Sequence, residues 1–239
     1  MQGDPAETTP PDLITYAIGD VHGCLDRLTA LLDLCVKHCA GRPMRLVFLG
    51  DYIDRGPDSR GVIDRLRTLQ NDRPGAVICL RGNHEALLLE AVETGDEGLW
   101  LLNGAAQTLM SFGVTEAAAL PRDHVDWIAA LPLFFDDGRR FFAHAGVNPD
   151  VPLDRQSEND LLWIREPFLS SDRDYGRLIV HGHTPIETAR PDLRRNRLNI
   201  DTAAVYGGRL TAAVFSGNKT WPLAFLNDAQ ATLRSPADT

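Results

Sequence analysis

Along the chain, short apolar runs alternate with segments whose apolar residues recur at helical spacing, the signature of an α/β protein. Five apolar runs read as strands, and each ends on a polar residue. Leu13 to Ile18 ends in Gly19-Asp20, Arg45 to Leu49 in Gly50-Asp51, and Ala76 to Leu80 in Arg81-Gly82-Asn83-His84. Phe141 to Ala143 ends in His144, and Leu178 to Val180 in His181-Gly182-His183. Between the first two, Leu25, Leu28, Leu31, Leu32, Cys35 and Val36 form a helical stripe over Leu25 to His38, closed by Gly41 and Pro43. Ser59 to Leu69 repeats the pattern. Residues 85–131 are rich in Ala and Leu and punctuated by glycines, which predicts several short helices forming a cap or side layer. Asp136-Asp137-Gly138 between Leu133–Phe135 and Arg139–Phe142 predicts a hairpin. From Asn199 onward the pattern is again of strands, Arg209 to Phe215 and Trp221 to Leu226, so a second sheet is expected to close the fold. With no repeat and no linker, the expectation is one domain over residues 13–230, a disordered tip at 1–12 and a tail at 231–239.

Ligands in open α/β sheets bind at the carboxyl ends of the strands. Taken singly, an Asp after Gly is a helix cap and a His is a packing residue. Together, Asp20, His22, Asp51, Asn83, His144 and His183 would converge on one edge, and such mixed oxygen and imidazole donors suit a pair of divalent metals such as Mn, Fe or Zn. The 239 residues are 44% hydrophobic, enough for a sizeable core. Lys and Arg number 24 against 33 Asp and Glu, a formal charge of −9, which argues against a surface built to coat nucleic acid or an anionic membrane. No apolar stretch approaches a membrane span, and Met1 to Asp12 lacks a basic start and an apolar core, so a cytoplasmic location is expected. Cys24, Cys35, Cys39 and Cys79 show no Cys-x-x-Cys spacing and read as reduced packing residues, Cys24 as the first of its helix. His38 and His124 are expected at helix ends on the surface.

In order along the chain, Gly19-Asp20-Val21-His22-Gly23, Gly50-Asp51-Tyr52-Ile53-Asp54-Arg55-Gly56, Arg81-Gly82-Asn83-His84-Glu85, His144-Ala145-Gly146 and His181-Gly182-His183-Thr184 resemble the motifs of the calcineurin-like metallophosphoesterases. Within that superfamily they are most similar to the phosphoprotein phosphatase branch and its small bacterial and phage members. The resemblance covers roughly residues 13 to 215. It implies two mixed β-sheets packed face to face and flanked by helices, a four-layer α/β/β/α sandwich with the metals above the strand ends.

The resemblance further implies that Asp20 and His22 hold a first metal, Asn83, His144 and His183 a second, and that Asp51 bridges them. Pro185 stands where many superfamily members have a further His, which leaves positions on the first metal for water and phosphate. Attack on phosphorus would come from a hydroxide bridging the metals, with no phosphoenzyme. Because the cations outweigh the neighbouring negative charges, such a site draws phosphate even in an acidic protein. Arg55 and Arg81 would grip the phosphoryl oxygens, and His84, oriented by Asp54, would protonate the departing oxygen. Asp54 also discriminates: similar bacterial dinucleoside tetraphosphate hydrolases usually lack it, and protein phosphatases keep it.

Several residues stay open between site and scaffold. Arg165, in a Trp-x-Arg element, either reaches phosphate or is a surface arginine beside a buried Trp163. Tyr206 can approach the metals, and His181 either touches the site or packs at its strand end. Arg190, Arg194, Arg195 and Arg197 either guide an acidic substrate or form a solvated strand face. The expected activity is a phosphomonoesterase acting on phosphoserine and phosphothreonine, with phosphotyrosine as a further substrate, of a phosphoprotein or phosphopeptide partner. Manganese is the expected metal, with Fe and Zn as alternatives, and a monomer is plausible. Hydrolysis of dinucleoside polyphosphates is the alternative, and a decayed scaffold is disfavoured because every ligand is retained.

Overall fold

The computed structural model describes Pro10 and residues 12–232. The expected tip and tail therefore lie almost wholly outside the described residues. The chain runs β1 (Ile14–Ile18), α1 (Leu25–Cys39), β2 (Met44–Phe48), α2 (Ser59–Asp72), β3 (Val77–Cys79), then the short helices α3 (Asn83–Thr94), α4 (Gly98–Leu102), α5 (Ala105–Phe112) and α6 (Arg122–Ala129). A hairpin β4 (Phe134–Asp136) and β5 (Arg140–Ala143) follows, then α7 (Glu158–Trp163), β6 (Leu178–His181), β7 (Asp192–Leu193), β8 (Arg197–Asn199), β9 (Thr211–Ser216) and β10 (Ala224–Asn227).

The strands form two five-stranded mixed sheets, ordered β10-β9-β1-β2-β3 and β4-β5-β6-β8-β7. In the first, β1, β2 and β3 are parallel (Ile18 beside Phe48, Phe48 beside Cys79). In the second, β5, β6 and β8 are parallel. Alternation along the strands explains the layers, because successive side chains point to opposite faces. Ile14, Tyr16 and Ile18 of β1, with Leu46 and Phe48 of β2, face Leu28, Leu31, Val62, Leu66 and Leu88 of the helices. Their alternates Ala17 and Val47, with Ala213 and Phe215 of β9, meet Phe142, Val180 and Leu198 of the other sheet. The second sheet turns Phe141, Ala143 and Ile179 outward onto Leu161, Ile164 and Phe168.

The two C-terminal strands do not build the second sheet. They extend the first, β9 antiparallel to β1 (Ile14 beside Ser216) with β10 outside it. Both faces of β9 are apolar, which suits an interior strand with helices on one side and a sheet on the other. β10 starts at Ala224 rather than Trp221, where the adjacent Pro222 has no N–H to offer the ladder. The second sheet is completed instead by β7 and β8, two strands inside the arginine-rich segment. Among the described residues no helix is long and apolar enough to cross a membrane.

Candidate metal centre

The carboxyl ends of β1, β2, β5 and β6 and the first turn of α3 meet at one place. The backbone there is unusual: His22, Asp51, Asp54, Arg55 and His183 all have positive φ, between 43° and 69°. Non-glycine residues in that region carry a cost and persist where surrounding contacts hold them. One such contact set centres on Glu85, which the sequence reading left without a role. Its buried carboxylate accepts from the backbone N–H groups of Asp51 (2.8 Å), Tyr52 (2.8 Å), Ile53 (3.3 Å) and Gly82 (2.9 Å), tying the loop after β2 to the start of α3. The chain approach is so close that a Cβ on Gly82 would lie 2.2 Å from Oδ1 of Asp51.

Asp51 occupies the middle. Its Oδ2 lies 3.4 Å from Nε2 of His22 and 3.9 Å from Nε2 of His84, and its Oδ1 lies 3.4 Å from Nε2 of His144. His22, Asp51 and His84 thus make one compact donor group, and Asp51, His144 and His183 a second. Oδ1 of Asn83 joins the second, 2.8 Å from both Nε2 of His144 and Nδ1 of His183. His22 and His144 donate their Nδ1–H to the carbonyls of Ile53 (2.8 Å) and Leu49 (2.9 Å), which makes each Nε2 an acceptor turned toward the cluster. Burial keeps these rings neutral, lowering the pKa of His22 and of His183 to about 3 and that of His144 below its ordinary value. For Asp51, burial opposes ionisation but the surrounding imidazoles outweigh it, and its pKa lies below the carboxylate range.

This donor set fits two divalent cations. Nε2 of His144 and Oδ1 of Asn83, both acceptors, face each other at 2.8 Å with no proton to share, a contact that a cation between them would relieve. The carboxylate of Asp20 accepts from the backbone N–H of His183 (3.1 and 3.3 Å) and lies beside, not within, the two compact groups. It is fully buried beside Asp51 and Asp201, and burial together with those charges raises its pKa. Asp201 was not among the predicted residues. Burial raises its pKa to about 6, with the charge of Asp51 adding to the effect, so three carboxylates converge where positive charge is wanted.

His84 and Asp54 are joined as expected. Nδ1–H of His84 donates to Oδ2 of Asp54 at 2.7 Å, and both side chains are buried. Asp54 is itself clamped by Nε1–H of Trp100 (2.9 Å) and the hydroxyl of Thr108 (2.6 Å), two residues of the helical segment that carried no motif. Burial alone would lower the pKa of His84, but Asp51 and Asp54 together raise it. The ring's Nε2 faces the cluster, and His84 lines a cavity of about 600 Å³ with Arg55, Arg165 and Tyr206.

The two motif arginines separate. Arg55 stands at the site, its Nη1 2.8 Å from Nε2 of His22 and its guanidinium 5.6 Å from the ring centre of Tyr206. Arg81 does not: its terminal nitrogens donate to the carbonyl of Ala129 (2.5 Å) and to Glu158 (3.2 Å), and it is absent from the cavity wall. Arg81 here joins the end of β3 to α6 and α7. Trp163 is not buried but 37% exposed, with its ring against His183, and Ile164 takes the core position. His181 is a packing residue, buried against the Phe168 ring. His124 is also buried, between Asp64 and Phe112, contrary to the surface position expected for it. His38 bonds the hydroxyl of Tyr16.

Residues 15–217 match the model of the calcineurin-like phosphoesterases. The chain belongs to that family. This phosphoesterase is 33% identical over 215 residues to serine/threonine-protein phosphatase 1 of Salmonella typhimurium, covering 83% of this chain and 90% of that one. It is 29% identical over 229 residues to the asymmetrical bis(5'-nucleosyl)-tetraphosphatase PrpE of Anoxybacillus flavithermus, covering 84% and 89%. Among solved structures it is similar, with a TM-score of 0.68 and 27% identity over 90% of this chain and 92% of the other, to one titled "Crystal structure of a putative diadenosine tetraphosphatase". The family depends on a dinuclear metal centre; His22 and Asp51 on one side, and Asp51, Asn83, His144 and His183 on the other, are the residues that would hold it here, with His84 beside them free to keep its Nε2 proton.

Proposed function

We propose that this phosphoesterase is a phosphomonoesterase that removes phosphate from phosphoserine, phosphothreonine and phosphotyrosine in proteins, with manganese as its metal. The observation that carries the reading is the clamped Asp54–His84 pair. An alkoxide leaving group needs a proton in the transition state, and a histidine fixed through Nδ1 presents Nε2–H toward the place where that oxygen departs. Trp100 and Thr108 hold Asp54 so that the ring cannot rotate away. Arg55, beside His22 at the cavity wall, offers donors to the equatorial oxygens as charge accumulates there. Bound cations would act as Lewis acids and supply an activated water as nucleophile.

The nucleotide reading keeps one structural support. Tyr206 and Trp163 are exposed aromatic faces on the same cavity, suited to stacking a base. Comparing kcat/KM for a phosphoserine peptide with that for diadenosine tetraphosphate, after loading metal-free protein separately with Mn, Fe and Zn, tests the proposal. Preference for the peptide with Mn is the expected result. Preference for diadenosine tetraphosphate would replace it with the nucleotide reading.

A further inference from the structure

A second cavity adjoins the catalytic one, with Pro185 in the wall of both. It has a volume of about 390 Å³ and lies under the segment that follows His183 directly, from Thr184 to Arg197. Three arginines line it, Arg190, Arg194 and Arg197, against two carboxylates, Glu187 and Asp192. Asp192 is shared: Arg194 pairs with its Oδ1 at 2.8 Å and Arg197 with its Oδ2 at 3.0 Å. Arg190 is exposed and has no ion pair or hydrogen bond among the described residues. The hydroxyl of Thr184, also in the wall, is buried and without a partner among the described residues. The cavity therefore has an excess of positive charge in a chain whose formal charge is −9, together with an unused donor.

The catalytic cavity wall, by contrast, carries Arg55 and Arg165 against Asp51, Asp160 and Glu166. A second negative group beside the scissile phosphate is better matched by the surplus of arginine beyond Pro185.

We propose that this second cavity is a specificity subsite for an acidic side chain flanking the phosphorylated residue of a phosphopeptide, with Arg190 as its principal cation. The proposal rests on the phosphopeptide reading above. Charge complementarity at an exposed position sets selectivity and encounter more than chemistry, so the effect belongs in KM and weakens with salt.

The test uses the metal-loaded full-length protein and two phosphoserine peptides of one length, flanked by glutamates or by glutamines, with p-nitrophenyl phosphate as a flankless reference. The wild type should prefer the glutamate peptide about three- to tenfold at low salt, through KM, with the preference fading at high ionic strength. Arg190→Glu, and separately Arg194→Glu, should abolish that preference while the ratio of glutamine peptide to p-nitrophenyl phosphate holds. Equal use of the two peptides by the wild type, or equal loss on both in the variants, overturns the subsite. If neither peptide is turned over but diadenosine tetraphosphate is, the phosphopeptide reading falls and the subsite with it; peptide turnover without flank preference removes the subsite alone.

Discussion

At the scale of single residues, the sharpest question is what His84 does. p-Nitrophenolate spreads its charge over the ring and leaves nearly unaided, whereas a serine alkoxide does not. His84→Ala should therefore reduce kcat on phosphoserine peptides far more than on p-nitrophenyl phosphate, and Asp54→Asn should show the same bias more weakly. Parallel rate measurements on the two substrates decide it, and equal losses would make His84 a positioning group. The acid works in its protonated form, which Asp51 and Asp54 favour, so peptide hydrolysis should be retained below the pKa of His84 and lost as pH rises through it. Arg55 and Arg81 divide in the same way. Arg55→Ala should cost about 2 to 4 kcal/mol of transition-state stabilisation in kcat/KM with metal content intact. Arg81→Ala should leave turnover close to wild type and lower stability by about 1 kcal/mol, because it removes bonds to Ala129 and Glu158. The motifs name the residues that meet in the two donor groups, His22, Asp51, Asn83, His144 and His183, because each follows closely on an apolar run. They could not separate the two arginines, because neighbouring positions in a motif project into different surroundings once the chain turns.

Elements were legible where periodicity was long. The helical stripe in α1 and the hairpin signal at Asp136-Asp137-Gly138 both mark real elements. The arginine run read as a solvated strand face does hold strands, β7 and β8, but they are only two and three residues long and separated by Arg194 and Arg195, so their bounds and their place in the second sheet could not be read from periodicity. Trp100 and Thr108 were invisible for another reason: they act through Asp54, which is 46 and 54 residues away in sequence. Glu85 could have been found, because a Glu three residues after a glycine at a helix start is the acceptor half of a capping box. Its carboxylate fixes the loop of Asp51 against the helix of Asn83 and His84. Glu85→Gln puts an amide N–H₂ among backbone donors that need acceptors. We expect a stability loss of about 1 to 3 kcal/mol and weaker binding of at least one metal, measured by denaturation and by metal titration. Wild-type metal affinity in a folded Glu85→Gln protein would show that the knot does not set the ligand geometry.

At the scale of the whole molecule, the donors come from both sheets: His22, Asp51 and Asn83 follow strands of the first, His144 and His183 strands of the second. Cations held between them bind only the docked pair, so metal acts as a ligand of the native state. Removing it should lower the melting temperature as well as abolish activity. Free metal at about 100 times its Kd would contribute about 3 kcal/mol, readable as a reversible shift in a thermal scan with and without chelator. An unchanged melting temperature would mean that the two sheets are held by their apolar interface alone.

The same cross-sheet construction has a temporal side. The oxygen of Asn83 meets a nitrogen of a histidine 100 residues further on, and Asp20 meets an amide 163 residues away. Contacts so distant in sequence are slow to form, because the intervening chain must close first, whereas α1 and the parallel triplet β1-β2-β3 are built from nearer neighbours. A chain emerging from synthesis can thus acquire much of its first sheet and still have no working centre until β6 has arrived and docked. In refolding with metal present, helical signal should precede regained hydrolysis, and that interval would time the closing of the two halves.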